Sequence, residues 1–363
     1  MSTPRSAPAV ARVRAVLLSA LLMSCAAPPA STPTTPATPD SPVPPPVVSP
    51  AQTSPLAWSA LAPSPTTLYE GQGTAAEGRL YVIGGFDHND GQDPIATAAV
   101  HVYDPATDTW TTRHDAPEAI THAGVAADGQ DLYVAGGFIG DHPGPDTDHV
   151  WRYDTRADTW TAMPPLPSPR GAGALVRVGR TLHYVGGTER DASGTDVRDD
   201  ADHFVLSLDA PTMWHTAAPL PRARNHLGAA VLDGVIYVVG GQHLGDEAYG
   251  DVTEVERYDS ATDTWTAVAP LPVPLGHVSA STVVWNSKVL AIGGVTTATH
   301  AGAIEGEEVG SVFAYDPATN TWSALTSLPG PRQSPVADVI GGALIVTTGS
   351  TAQGPVADTW QGR

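Results

Sequence analysis

The sequence predicts an all-β protein built from repeats, and three observations carry that prediction. Glycine and proline, 36 and 35 of 363 residues, punctuate the chain too densely for long helices. A short apolar segment closed by Gly-Gly returns along the chain, beginning with Leu80-Tyr81-Val82-Ile83-Gly84-Gly85 and Leu132-Tyr133-Val134-Ala135-Gly136-Gly137. A Tyr-Asp pair followed by a Trp comes after most of these segments, as in Tyr103-Asp104 to Trp110 and Tyr153-Asp154 to Trp160. Self-similarity at a period of some fifty residues marks a repeat architecture in which each repeat is one supersecondary unit.

The first element in chain order reads as an address. Arg5, Arg12 and Arg14 precede the apolar stretch Ala15 to Met23, and no acid occurs before Cys25. A basic segment followed by a short apolar one is the pattern of an export signal, and it is too short for a bilayer span. Leu22-Met23-Ser24-Cys25 resembles the lipobox of bacterial lipoproteins, which implies acylation of Cys25, the chain's only cysteine. The expectation is a signal peptide over residues 1–24 and a lipid-anchored protein on the periplasmic or surface side of a bacterial cell envelope. Residues 25–54 are rich in proline, serine and threonine with Asp40 as the one charge, a composition that buries no core and reads as an extended tether.

Residues 55–363 hold the repeats. The double glycine or its equivalent begins at Gly84, Gly136, Gly186, Gly240, Gly293 and, in degraded form, Thr348, at intervals of 52, 50, 54, 53 and 55 residues. The Tyr-Asp and Trp signature recurs at Tyr258-Asp259 to Trp265 and Tyr315-Asp316 to Trp322, and is one residue short where Leu208-Asp209 leads to Trp214. This combination resembles the kelch repeat. The resemblance implies a six-bladed β-propeller with four antiparallel strands per blade, lettered a to d outward from the axis. Segments such as Gly71 to Ala76 and His122 to Ala127 are small enough for strand a, where blades converge. Each Trp fills the wider gap at strand d.

Closure is legible too. Trp58 has the strand d context but precedes any strand b, whereas Asp358-Thr359-Trp360 resembles the strand c context around Trp151. The N-terminal strand is therefore expected to complete the last blade, leaving no free seam.

Function is less legible. With 18 basic against 38 acidic residues and a net charge of -20, neither nucleic acid nor a direct membrane contact beyond the anchor is expected as a partner. The resemblance implies that the b–c loops and d–a corners share one binding face. Corner residues Arg170, Arg222, Arg224, Asn225 and Arg332 are candidates to line the channel mouth and hold an anionic or polyhydroxyl ligand, because guanidinium forks suit carboxylates; the arginines could equally pair with Asp and Glu of the b–c loops. A count of 14 back from each first glycine gives Glu70, His122, Ala172, His226, Ser279 and Ser334 as one layer, with His277 on the same strand face as Ser279. Three histidines and a glutamate are metal-ligand types. Their separation over blades two, four and five favours ordinary hydrogen-bonded histidines, so neither a metal nor any other cofactor is expected. The acidic b–c loops include Asp87-His88-Asn89-Asp90-Gly91, which lacks the spacing of an EF-hand loop. A copper radical oxidase of the galactose oxidase type is excluded, since its crosslinked cysteine has no counterpart after Cys25. The reading is a monomeric envelope binding module for a glycan, a peptide or an envelope protein. The alternative, which leaves catalytic residues unassigned, is a sugar-modifying enzyme resembling the sialic-acid mutarotases.

Overall fold

Strand b of every repeat is a near-continuous apolar run, the pattern of a strand covered on both faces. The computed structural model, which describes residues 56–88, 94–142, 144–190, 197–243, 250–300 and 303–363, shows why. Six four-stranded antiparallel sheets stack side by side as the blades of a propeller, so Leu80–Ile83 and Ile236–Val239 are buried between neighbours. Blade 1 comprises strand a at Gln72–Ala76, b at Arg79–Ile83, c at Val100–Asp104 and d at Thr109–Arg113. Strands a of blades 2 to 6 begin at Gly124, Ala174, Gly228, Thr282 and Val336. The expectations for residues 1–24 and 25–54, including Cys25, and for Asp90 lie outside the described residues. No helix among the described residues is long and apolar enough to cross a membrane.

The last blade closes as expected. Its sheet runs Trp58–Leu61, Thr359–Gly362, Ala343–Thr347, Val336–Ile340, with Trp58 opposite Gly362 and Leu61 opposite Thr359. The N-terminal strand thus occupies the outer position, and Ala57 and Arg363 exchange both backbone hydrogen bonds at 2.9 and 3.1 Å.

The Tyr-Asp and Trp signature proves to be a device for joining blades. Each strand d Trp donates its indole N–H to a carbonyl just beyond strand d of the preceding blade: Trp110 to Ala62, Trp160 to His114, Trp214 to Pro164, Trp265 to Ala218, Trp322 to Ala269, and Trp58 to Thr326. In the regular copies the turn residue five after the Tyr accepts two hydrogen bonds. Asp108 Oδ1 accepts from the Tyr103 hydroxyl at 2.7 Å and from Ala62 N–H of the neighbouring blade at 2.8 Å. Asp158, Asp263 and Asn320 repeat the arrangement. Asp108 adopts φ 51°, a left-handed conformation that Asp and Asn tolerate better than most residues.

The double glycines join blades at the opposite rim. Gly85 has φ 98°, a region that side chains essentially exclude, and its N–H donates to Ile120 O of the next blade at 2.8 Å. A Cβ on Gly84 would stand 2.1 Å from that same carbonyl oxygen. The degraded copy keeps the geometry, since Thr348 takes φ 57° and Gly349 φ 99°.

Candidate functional site

The residue two places before each ring position accepts the hydrogen bond from the second glycine, and this gives an internal frame for the layer at the axis. The acceptors are Leu68, Ile120, Arg170, Arg224, Leu275 and Arg332. Two residues later stand Glu70, His122, Ala172, His226, His277 and Ser334, all with φ between 48° and 57°. The sequence count placed Ser279 in this layer. The structure places His277 there instead, because blade 5 carries two extra residues before strand a, where Ser281 N–H turns back onto Val278 O.

The six left-handed residues form a collar. His122 N–H donates to Glu70 O at 3.2 Å, Ala172 to His122 at 3.0 Å, His226 to Ala172 at 2.8 Å, and Ser334 to His277 at 3.1 Å. The left-handed turn lets these residues bond one another along the collar while their side chains reach the axial face. Ala172 and Ser334 are small, so the four larger groups draw together. The His122 and His226 rings meet with centroids 5.0 Å apart, and those of His226 and His277 at 4.3 Å. Glu70 lies between two imidazoles, Oε1 2.9 Å from His277 Nδ1 and Oε2 3.2 Å from His122 Nε2. All four side chains are buried. Burial opposes the Glu70 charge, but His122 and His277 outweigh it and hold the carboxyl well below its usual range.

Above the collar lies a cup of about 400 Å³, floored by Glu70, His122 and His277 and walled by Tyr69, Phe86, His142, Gln242, Asp251, Glu308 and Gln333 among others. Below it a channel of about 390 Å³ runs between the strands a and is lined chiefly by their small residues, with none of the collar side chains. The cup walls are positioned by a repeated bridge. The residue before each collar position pairs with the residue after the double glycine, as Tyr69 with Phe86, Asn225 with Gln242, and Gln333 with Ser350. Of the flanking positions named, only Asn225 is among the residues expected from sequence. Their fixed spacing from the double glycine was the available signal.

The arginines do not line the mouth. Arg224 is 0% exposed, its Nε donating to Gly240 O at 2.7 Å and Nη2 to Glu256. Arg170 is buried and pairs with Asp200 at 2.8 Å and with Asp202. Arg332 is likewise buried, with Nη1 donating to Thr348 O at 3.2 Å. Each serves its own blade, tying the start of strand a to the region that leads into strand c. A buried guanidinium is retained only where carboxylates and carbonyls of this kind surround it. Arg222 stays on the surface in a pair with Glu254, outside the cup lining. Asn225 and His226 do belong to the site, Asn225 as a support: its Nδ2 donates to Asp199, which turns its Oδ1 toward His226 Nδ1. Among the described residues lining the cup there is no arginine or lysine, while Glu70, Asp251 and Glu308 contribute carboxylates. An anionic ligand would meet like charge at these carboxylates.

Fold and collar together define a six-bladed propeller with an axial pocket. The kelch motif matches residues 73–112, 119–167, 223–272 and 277–329, more than half of the chain, and the chain belongs to the kelch-repeat family. It is 29% identical over 312 residues to Kelch-like protein terF of Aspergillus terreus, covering 84% of this chain and 55% of that protein. It is 32% identical over 165 residues to Beta-scruin of Limulus polyphemus, covering 43% of this chain and 17% of that protein. The chain thus spans about half or less of the length of these relatives. The solved structure of YjhT superposes with a TM-score of 0.66 at 17% identity, covering 83% of this chain and 96% of that one, which shows a shared fold.

Proposed function

We propose that the propeller is a binding module whose ligand site is the axial cup on the b–c and d–a face, and that its ligand is a neutral or amino-bearing glycan end. The single observation that carries this reading is the cup itself. Tyr69 is partly exposed at its wall and stacks on Phe86 with ring centroids 5.2 Å apart. Gln242, Gln333, Asp251 and Glu308 offer planar amides and carboxylates to hydroxyl groups. An apolar face with a few converging polar groups is the usual make-up of a small-ligand site. The signal-like N-terminus and proline-rich tether support display of this module from a lipid anchor at the cell envelope.

The test is a glycan array probed with the full protein, followed by calorimetry on the best ligand. Neutral or amino sugars are expected to bind, and Tyr69→Ala is expected to weaken them by at least about tenfold. Recognition confined to acidic glycans, or binding indifferent to Tyr69, overturns the reading. Replacing Cys25 by Ser is expected to move the protein from the membrane to the soluble envelope fraction; a wild-type protein that is already soluble refutes the anchor.

A second reading is favoured by one feature. Glu70 held between two imidazoles is a constellation suited to proton transfer at a sugar ring. Turnover of a bound sugar that is lost in Glu70→Gln would replace simple binding by a sugar-modifying activity.

A further inference from the structure

Three potential metal donors cluster at the collar beneath the cup, and a fourth stands beside them. Single oxygen or nitrogen atoms of Glu70, His226 and His277 all lie within 4.8 Å of one another, and all three residues are buried. His122 approaches from the other side, its Nε2 3.2 Å from Glu70 Oε2. A tetrahedral zinc site with bonds of about 2.0–2.2 Å needs donors about 3.3–3.5 Å apart. The two Glu70 contacts, at 2.9 and 3.2 Å, fall just short of that spacing, and the wider separations within the cluster would have to close by side-chain rotation as an ion binds.

The surroundings are arranged as a metal site requires. Asn225 Nδ2 donates to the Asp199 carboxylate, which leaves Asn225 Oδ1 as the acceptor facing His226 Nδ1. His226 Nδ1 is held from two sides, by Asn225 Oδ1 at 2.5 Å and by Gln242 Nε2 at 3.1 Å, and the two amides orient the ring. On His122, Nδ1 lies 2.9 Å from the Thr121 hydroxyl, leaving Nε2 to face Glu70. Partners of this kind, binding the second ring nitrogen, orient ligating histidines and fix their tautomer. Glu70 Oε2 is a buried carboxylate oxygen without a well-formed hydrogen bond, pointed at His122. Backbone hydrogen bonds link Glu70, His122, Ala172 and His226 in series and tie Ser334 to His277, which fixes the backbone beneath the donors.

We infer that the collar is a binding site for one divalent first-row transition ion, Zn²⁺ above all, held by Glu70, His226, His277 and His122 at the base of the cup. Three imidazoles and a carboxylate suit zinc, and the absence of thiolates leaves no preference for soft ions. Four protein donors complete the tetrahedron, so a ligand hydroxyl from the cup would join the ion only as a fifth donor. For that last point the inference rests on the reading of the cup as the ligand site; the ion site itself stands on the collar geometry.

The experiment uses the untagged full protein, stripped with chelator and then titrated with Zn²⁺ by calorimetry, with bound metal counted after gel filtration. One equivalent is expected. Co²⁺ in its place is expected to give the visible d–d absorption of a four-coordinate nitrogen and oxygen site, a signature that needs no variant. Glu70→Gln and His277→Ala are expected to lose the equivalent, while the exposed control His215→Ala keeps it. Asn225→Ala is expected to weaken binding by about 10–100-fold through loss of the His226 orientation. Less than one equivalent on wild type, a six-coordinate aqua-like Co²⁺ spectrum, or undiminished binding in both Glu70→Gln and His277→Ala overturns the inference. A protein that takes no metal but binds glycan refutes the ion site alone. One that takes the ion and binds no glycan supports the ion site and refutes the reading of the cup.

Discussion

Arg224→Ala tests whether the corner arginines are internal ties or ligand contacts. The guanidinium is 0% exposed and its partner Glu256 is 4% exposed, so truncation leaves a carboxylate buried without its counter-charge. It also removes the Nε–H donor to Gly240 O. Removing one member of a buried pair typically costs about 3–5 kcal/mol, because the remaining charge stays desolvated. Arg222→Ala, two residues away, is the internal comparison. Arg222 is 61% exposed in its pair with Glu254, and exposed pairs contribute about 0–1 kcal/mol. Urea unfolding followed by the fluorescence of the tryptophans gives both values on one scale. Arg224→Ala is expected to lower stability by about 3–5 kcal/mol, Arg222→Ala by less than about 1 kcal/mol. The double replacement Arg224→Met with Glu256→Met is expected to recover most of the loss, since well-packed apolar side chains can substitute for a buried pair. Equal stability of the two single variants, together with loss of ligand binding in Arg224→Ala alone, would refute the account and return this arginine to the mouth.

Further outcomes are expected at a histidine pair, at the closing strand and at two glycines. His183 and His203 are buried in blade 3 with Nδ1 of one 2.9 Å from Nε2 of the other. Burial pushes both down to about 4 from the ordinary 6.5, with His203 adding to the shift at His183. The unfolded chain therefore binds more protons between pH 6.5 and 4. The stabilisation from their neutral forms is complete above about pH 6.5 and is lost as pH falls toward 4, by up to about 3 kcal/mol per histidine; a pH-stability profile unchanged by His183→Gln with His203→Gln would contradict this. Trp58→Phe removes the indole N–H donated to Thr326 O at the seam and is expected to cost about 1 kcal/mol. Deleting residues 56–63 exposes the Thr359–Gly362 edge and is expected to abolish the cooperative melt; equal melting temperatures for wild type and deletion would show that the strand closes nothing. Gly137→Ala, at φ 104° with its Cβ 2.6 Å from Thr121 O, is expected to cost more than about 3 kcal/mol. Gly179→Ala, at φ 56° in open space, is expected to cost about 1–2 kcal/mol by the same denaturation assay.

The sequence by itself determined the repeat, the number of blades and the closing strand. Each blade edge needs a second glycine near φ 100° and a Trp at strand d, and the four regular copies add an Asp or Asn in a left-handed turn; these requirements fall on single positions at a nearly constant period. They survive in the chain as letters, even where Thr348 replaces one glycine. The third blade shows how much variation the pattern tolerates: Leu206 stands in the place of the Tyr, opposite Leu182, and Trp214 keeps its bond to Pro164 although the turn is one residue longer than in the regular copies. The candidate site was only half legible for a physical reason. Counting from the glycine assumes a constant path, and two extra residues in blade 5 shifted the collar from Ser279 to His277. Nor does a sequence say which way a long side chain turns. Arg170, Arg224 and Arg332 stand at the corner facing solvent along the chain, yet carboxylates and carbonyls of their own blades draw them inward. Residues separated by 207 positions, Glu70 and His277, meet at 2.9 Å because six blades close on one axis. Only that closure, with small Ala172 and Ser334 leaving room, brings one carboxylate and three imidazoles into a single cluster.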